Sequence, residues 1–173
     1  LIAGRSIKDL YHIYSKQATQ YFAVYMNYPT FWSTLNKEEY TVDYLSFKWM
    51  AILFTVSVLG LLMVFLIKSK VIKDNKFYIY SAFILTYTCV LFFPTMHERY
   101  GFCYEILAVP ILFLNKKTIP LFISLMYMSL STYGAFLYRS TVDIPALGVI
   151  NTVTYLLYIV ILWYDIRKIS AHQ

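Results

Sequence analysis

The stretch SFKWMAILFTVSVLGLLMVFLI, Ser46 to Ile67, decides how the rest of the chain is read. Its only charged side chain is Lys48, near its start, and Lys68 and Lys70 follow its end. A helix rises about 1.5 Å per residue, so about 20 apolar residues cross the roughly 30 Å hydrocarbon layer of a bilayer. Lys48 can snorkel to one interface while the lysines after Ile67 hold the other. Working outward, Phe77 to Met96, Ile119 to Tyr138 and Ala146 to Tyr164 make three further spans. Tyr100 to Leu114 is short and carries Glu105 and Pro110, so it crosses only if His97, Glu98 and Arg99 dip to the membrane edge. The expected fold is all-α: a polytopic transmembrane bundle of about five spans over residues 46–173, preceded by an external segment, 1–45.

Composition agrees. Of 173 residues, 60% are hydrophobic and only 14% charged, and mean hydropathy is +0.57. A water-soluble enzyme and a disordered chain are both excluded by that much apolar surface. Eighteen tyrosines and 13 phenylalanines suit membrane interfaces and the lining of a cavity within a bundle. Cys89 and Cys103 fall inside apolar stretches and read as small hydrophobes, not as a disulfide or metal pair. No metal or cofactor is expected, and the chain has no Gly-x-Ser-x-Gly, Gly-rich phosphate loop or His-Glu-x-x-His.

The formal charge of +6 raises nucleic acid as a partner, but the positions of the cations remove its basis. Lys68, Lys70, Lys73 and Lys76 lie between the first two spans, Lys116 and Lys117 between the third and fourth, and Arg167 and Lys168 after the fifth. All eight reach one side, where only Asp74 and Asp165 oppose them, and the other segments balance at seven of each sign. Short loops rich in Lys and Arg face the cytoplasm, so the remaining loops face outward. In the outer segment Ile7, Leu10, Tyr11, Tyr14, Ala18, Tyr21 and Phe22 recur at helical spacing opposite Lys8, Asp9, His12 and Lys16. That pattern predicts a surface amphipathic helix capped by Ser6 and ending before Asn27-Tyr28-Pro29.

The sharpest local feature is Pro94-Thr95-Met96-His97-Glu98-Arg99-Tyr100-Gly101, at the outer mouth of two spans. Three consecutive ionisable residues at a membrane edge are costly unless they meet a wet cavity or one another, which marks a functional site. Arg99 offers a planar fork of donors suited to phosphate, and His97 can donate a further hydrogen bond or a proton. If helix begins at residue 97, His97, Gly101, Tyr104 and Ala108 share one face, with Glu98 and Glu105 on the next. Glu105 then has three open readings: a buried ion-pair member, an orienter of His97 or Arg99, or a residue close to the interface. An ordinary polar turn is the bland alternative.

Met96-His97-Glu98-Arg99-Tyr100 resembles the His-Glu-Arg-Tyr motif of bacterial membrane mannosyltransferase-like proteins related to the GPI mannosyltransferases, within the multi-spanning GT-C glycosyltransferases. Gln17, Tyr21 and Asn27-Tyr28-Pro29-Thr30-Phe31-Trp32 are similar to that family's external Gln-Tyr and Asn-Ala-Pro-Asn-x-Trp pattern. Gly101, Phe102, Cys103 and Glu105, and Tyr28 and Thr30, depart from the family's residues at those places. The resemblance implies transfer of mannose or another hexose from a polyprenyl-phosphate donor to a glycan, lipid or protein acceptor. The setting would be the outer face of a bacterial plasma membrane. His97 and Arg99 would bind the donor phosphate, with Glu98, Tyr100 and Glu105 supporting them. Gln17, Tyr21, Asn27 and Trp32 would line the cavity. The family's acidic general base lies in an earlier external loop, so the chain reads as the C-terminal part of a longer enzyme, inactive alone. A lipid-linked substrate flippase or transporter, with the charged mouth as its gate, is the rival reading, and a membrane polysaccharide polymerase a third.

Overall fold

The structure is a computed structural model, and it describes residues 12, 22–35, 43–69 and 74–171. The amphipathic helix expected over 7–22 lies almost entirely outside them. Among the described residues six α-helices are bounded, in order: α1 (Phe31–Leu35), α2 (Tyr44–Lys68), α3 (Asn75–Phe92), α4 (Phe102–Leu114), α5 (Ile119–Tyr138) and α6 (Ile144–Ala171). Short 3-10 turns at Glu98–Tyr100 and Lys116–Thr118 lead into α4 and α5. No strand forms among the described residues, so the fold is all-α as expected.

Among the described residues three helices are long and apolar enough to cross a membrane: α2, α5 with its leading turn, and α6. Their exposed surfaces support that environment. On α2 only Tyr44, Ala51, Thr55 and Leu66 are buried, while Leu45, Trp49, Leu53, Val56, Leu61, Val64 and Ile67 are open. An apolar face of this extent is not stable against water, and α2 has no polar stripe to turn outward. Polarity is instead gathered inside, where Thr55, Thr88, Thr132, Asn151 and Thr154 are buried. These features make the chain a membrane protein in character.

Helix α3 is the central strut. It packs against α1, α2, α4 and α6, and α5 closes the bundle by lying on α4 and α6. Its buried residues, among them Tyr80, Phe83, Tyr87 and Leu91, occur on most of its circumference. Asp74 starts α3 by accepting from the Lys76 backbone N–H at 2.8 Å. The helix ends at Phe92, four residues before the expected limit of Met96, because Pro94 holds Phe93 in extended geometry (φ −68°, ψ 142°). Helix α4 has 13 residues and is about 20 Å long, too short to cross hydrocarbon alone. Pro110 sits inside it and removes one backbone donor.

The middle of the bundle is tied by phenols. Tyr87 and Tyr104 stack with ring centroids 4.1 Å apart, and the Tyr104 and Tyr28 hydroxyls are 2.5 Å apart. Asn151 on α6 joins them, accepting from the Tyr87 hydroxyl at 2.5 Å and donating to the Pro29 carbonyl at 2.7 Å. Each buried polar group thereby recovers the hydrogen bond that burial would otherwise cost it. Burial drives the Tyr28 pKa well above that of an ordinary phenol, so Tyr28 stays protonated.

The segment 22–35 is fastened to α6 by contact at Gly148. A Cβ there would collide with the Ser33 hydroxyl and lie 2.9 Å from the Thr30 carbonyl oxygen. Gly148→Ala should therefore lower stability by about 1–3 kcal/mol, the usual cost of overpacking. Thermal unfolding in detergent would measure it, and an unchanged midpoint would show that α1 is not held against α6 in this way.

Candidate functional site

The ends of α2, α3 and α4 build a cleft of about 580 Å³ at one end of the bundle. Its polar lining comprises Tyr44 and Lys48 from α2, Thr86 from α3, Thr95 from the turn, and His97, Arg99 and Tyr100 after it. Ile52, Val90, Phe93 and Met96 form an apolar wall that runs one to two turns into the bundle. Three cationic or protonatable side chains thus share an opening with a surface suited to hydrocarbon.

Local backbone geometry places His97 there. Thr95 takes φ of 60°, which a β-branched residue adopts only when its surroundings force it. Its N–H donates to Val24 at 3.0 Å, and its hydroxyl lies 2.9 Å from the Ala23 carbonyl and 2.5 Å from the Tyr44 hydroxyl. The Met26 N–H then donates to Met96 at 3.1 Å, and isolated backbone bridges join Met26 and Asn27 to His97. Segment 22–30 therefore sets the course of the turn, and with it the start of the charged triplet.

Helix does not begin at His97, which is extended (φ −90°, ψ 157°). The face expected from residue 97 onward survives only from Gly101: Gly101, Tyr104, Ala108 and Ile111 are buried together, and His97 stands apart at the mouth. Glu98, in the first position of the 3-10 turn, is the buried member of the triplet. Its side chain is 5% exposed against 75% for Arg99. Glu98 Oε1 lies 3.8 Å from Arg99 Nε, and Oε2 lies 4.0 Å from His97 Nδ1. One carboxylate thus sits behind both cleft residues, its Oε2 without a hydrogen-bond partner among the described residues. The Tyr100 ring meets the His97 imidazole edge-on, with centroids 6.0 Å apart.

The other sequence-derived site residues separate. Glu105 accepts from the Ser129 hydroxyl at 3.1 Å and lies toward α5, off the lining of the His97 cleft. Asn27, left-handed at φ 53°, is exposed and borders another concavity with Asp143 and Pro145. Trp32 is buried, its indole N–H donating to the Phe92 carbonyl at 2.5 Å within a ring of Phe31, Phe47 and Phe54. Packing, not cavity lining, is its role in this structure. Gln17 and Tyr21 lie outside the described residues. Lys48 is the addition: sequence reading gave it only an interfacial role, although its place in the first turn of the span already put it near the mouth.

Comparison with protein-family models, with curated proteins and with solved structures finds no match to this chain. The reading of the site rests on its own residues.

Proposed function

We propose that the protein is a multi-pass membrane glycosyltransferase of the GT-C kind that takes its sugar from a polyprenyl-phosphate carrier at the outer face of a bacterial plasma membrane. One observation carries this: Lys48, His97 and Arg99 share an open cleft with an apolar wall at one end of a bundle of membrane-length helices. A lipid-linked sugar phosphate has the complementary form, an anion joined to hydrocarbon. Charge on the departing phosphate is stabilised by preplaced cations, because the site does not have to reorganise as that charge develops. In this reading Arg99 grips the phosphate, His97 donates a second hydrogen bond, and Glu98 holds both in place from beneath. Tyr100 borders the sugar. The acceptor is a glycan, lipid or protein hydroxyl.

The test is transfer of radiolabelled mannose from a polyprenyl-phosphate donor by the whole protein in proteoliposomes. Transfer that falls in Arg99→Ala and in His97→Ala supports the reading. Equal turnover in both variants and the parent rejects it. Movement of an intact labelled lipid across the bilayer with no sugar transfer would point instead to a flippase with the same gate.

A further inference from the structure

The end of the bundle opposite the cleft has a second concavity, of about 620 Å³, that sugar transfer does not use. Lys76 from the first turn of α3, Lys117 from the turn before α5 and Lys168 near the end of α6 line it. With them are Asp74, Tyr80, Leu114, Asn115, Tyr164, Asp165 and Ile169. We propose that it binds the phosphate of an anionic glycerophospholipid from the bilayer in which the bundle sits.

The three ammonium groups come from three separate elements, so their meeting is not a by-product of one charged helix face. The two carboxylates have structural work at the wall of the pocket. Asp165 Oδ2 accepts from Asn115 Nδ2 at 2.6 Å and from the Tyr80 hydroxyl at 3.3 Å, tying α6 to α3 and to the end of α4. Asp74 caps α3. Their charges still count, and three lysines against two aspartates leave one positive charge in excess. Lys116 and Arg167, next in sequence to lining residues, strengthen that field. The Lys117 ammonium lies 5.8 Å from the centroid of the Tyr164 ring, which borders the same concavity.

The surroundings favour a lipid over a free ion. Leu114, Tyr164 and Ile169 line the concavity, and the Tyr164 ring is exposed. A phosphodiester held by the lysines can lay its acyl chains over that apolar surface, whereas inorganic phosphate gains nothing from it. Basic pockets at the cytoplasmic ends of membrane helices recognise anionic headgroups in this manner, and a lysine near the bilayer surface is worth about a fivefold change in binding.

Native mass spectrometry of the full protein in detergent, with equimolar phosphatidylglycerol and phosphatidylcholine of the same acyl chains, tests the assignment. Bound phosphatidylglycerol should exceed phosphatidylcholine by about fivefold or more. Substituting Lys76→Gln, Lys117→Gln and Lys168→Gln together should bring the two near parity. Should the triple variant fail to fold, Lys168→Gln alone should still lower the preference measurably. Equal retention of the two lipids by the parent would overturn the proposal, as would an unaltered preference in the lysine variants. Displacement of phosphatidylglycerol by millimolar inorganic phosphate would overturn the choice of a lipid. None of these readouts involves sugar transfer, so this site and the glycosyltransferase reading can fail separately.

Discussion

Arg99→Ala should lower sugar transfer by about 100- to 1,000-fold, the loss typical of removing one preplaced donor from a site where negative charge develops. The side chain is 75% exposed on the cleft, and its Nε stays within 3.8 Å of the Glu98 carboxylate. Because Glu98 itself is buried, the guanidinium is steered from below and offers its donors to a ligand from above. The contact is long and its arginine is solvated, so the pair adds on the order of 1 kcal/mol to folding even with Glu98 buried. The variant should therefore remain folded, with a thermal midpoint lowered only slightly, while turnover falls. Arg99→Lys keeps the charge but loses the planar fork, so it should recover only part of the rate. Complete recovery would mean that the cleft needs only a positive charge at this position. Lys48→Met should act in the same direction with a smaller effect, because an ammonium on a flexible stem stabilises phosphate as a point charge.

How far these features could be read from sequence depends on which physical rule governs each position. The first span was legible to within two residues at either end, Ser46 to Ile67 against Tyr44–Lys68, because Asp43 and Lys68 flank a run with no competing signal. The apolar run of the last span covers Ala146 to Tyr164, whereas α6 covers Ile144–Ala171. Hydropathy marks where hydrocarbon-like surface ends, whereas the helix continues through Asp165, Arg167 and Lys168 without a breaker. The apolar run that carries the expected span on to Met96 passes through Pro94, which ends α3 at Phe92. In the charged triplet, the residue types were legible and their depth was not. Three adjacent polar residues give no clue to which one turns inward. That Glu98 is buried follows from the 3-10 turn and from Thr95 at positive φ, a conformation imposed by bonds to residues 23 and 24, some seventy positions earlier in the chain. Long-range ties of this kind leave no local pattern. The same holds for the phenol network, since Tyr28, Tyr87, Tyr104 and Asn151 read separately as aromatic or polar residues in apolar runs.

Trp32 separates packing from ligand contact most sharply. Its side chain is 4% exposed, and its ring meets Phe31, Phe47 and Phe54 edge-on with centroids 5.2 to 5.6 Å apart. Trp32→Ala should lower stability by about 3–5 kcal/mol, because the cavity left among these rings cannot close without moving α1, α2 and the end of α3. The Phe92 carbonyl also accepts from the Thr55 hydroxyl at 2.8 Å, so it keeps one partner when the indole N–H is lost. Trp32→Phe, which retains an aromatic ring, should accordingly cost much less, about 1 kcal/mol for the missing hydrogen bond plus the smaller ring volume. Thermal unfolding in detergent ranks the three proteins. If Trp32 instead touched substrate, Trp32→Ala would leave the unfolding midpoint where it was and raise KM. Projecting from α1 onto α2 and the end of α3, Trp32 holds segment 22–35 beside the Pro94 turn, so a large drop in midpoint should also loosen the backbone bonds that place His97. Hydrogen exchange at the Thr95 amide, bonded to Val24 at 3.0 Å, would then quicken along with the loss of stability.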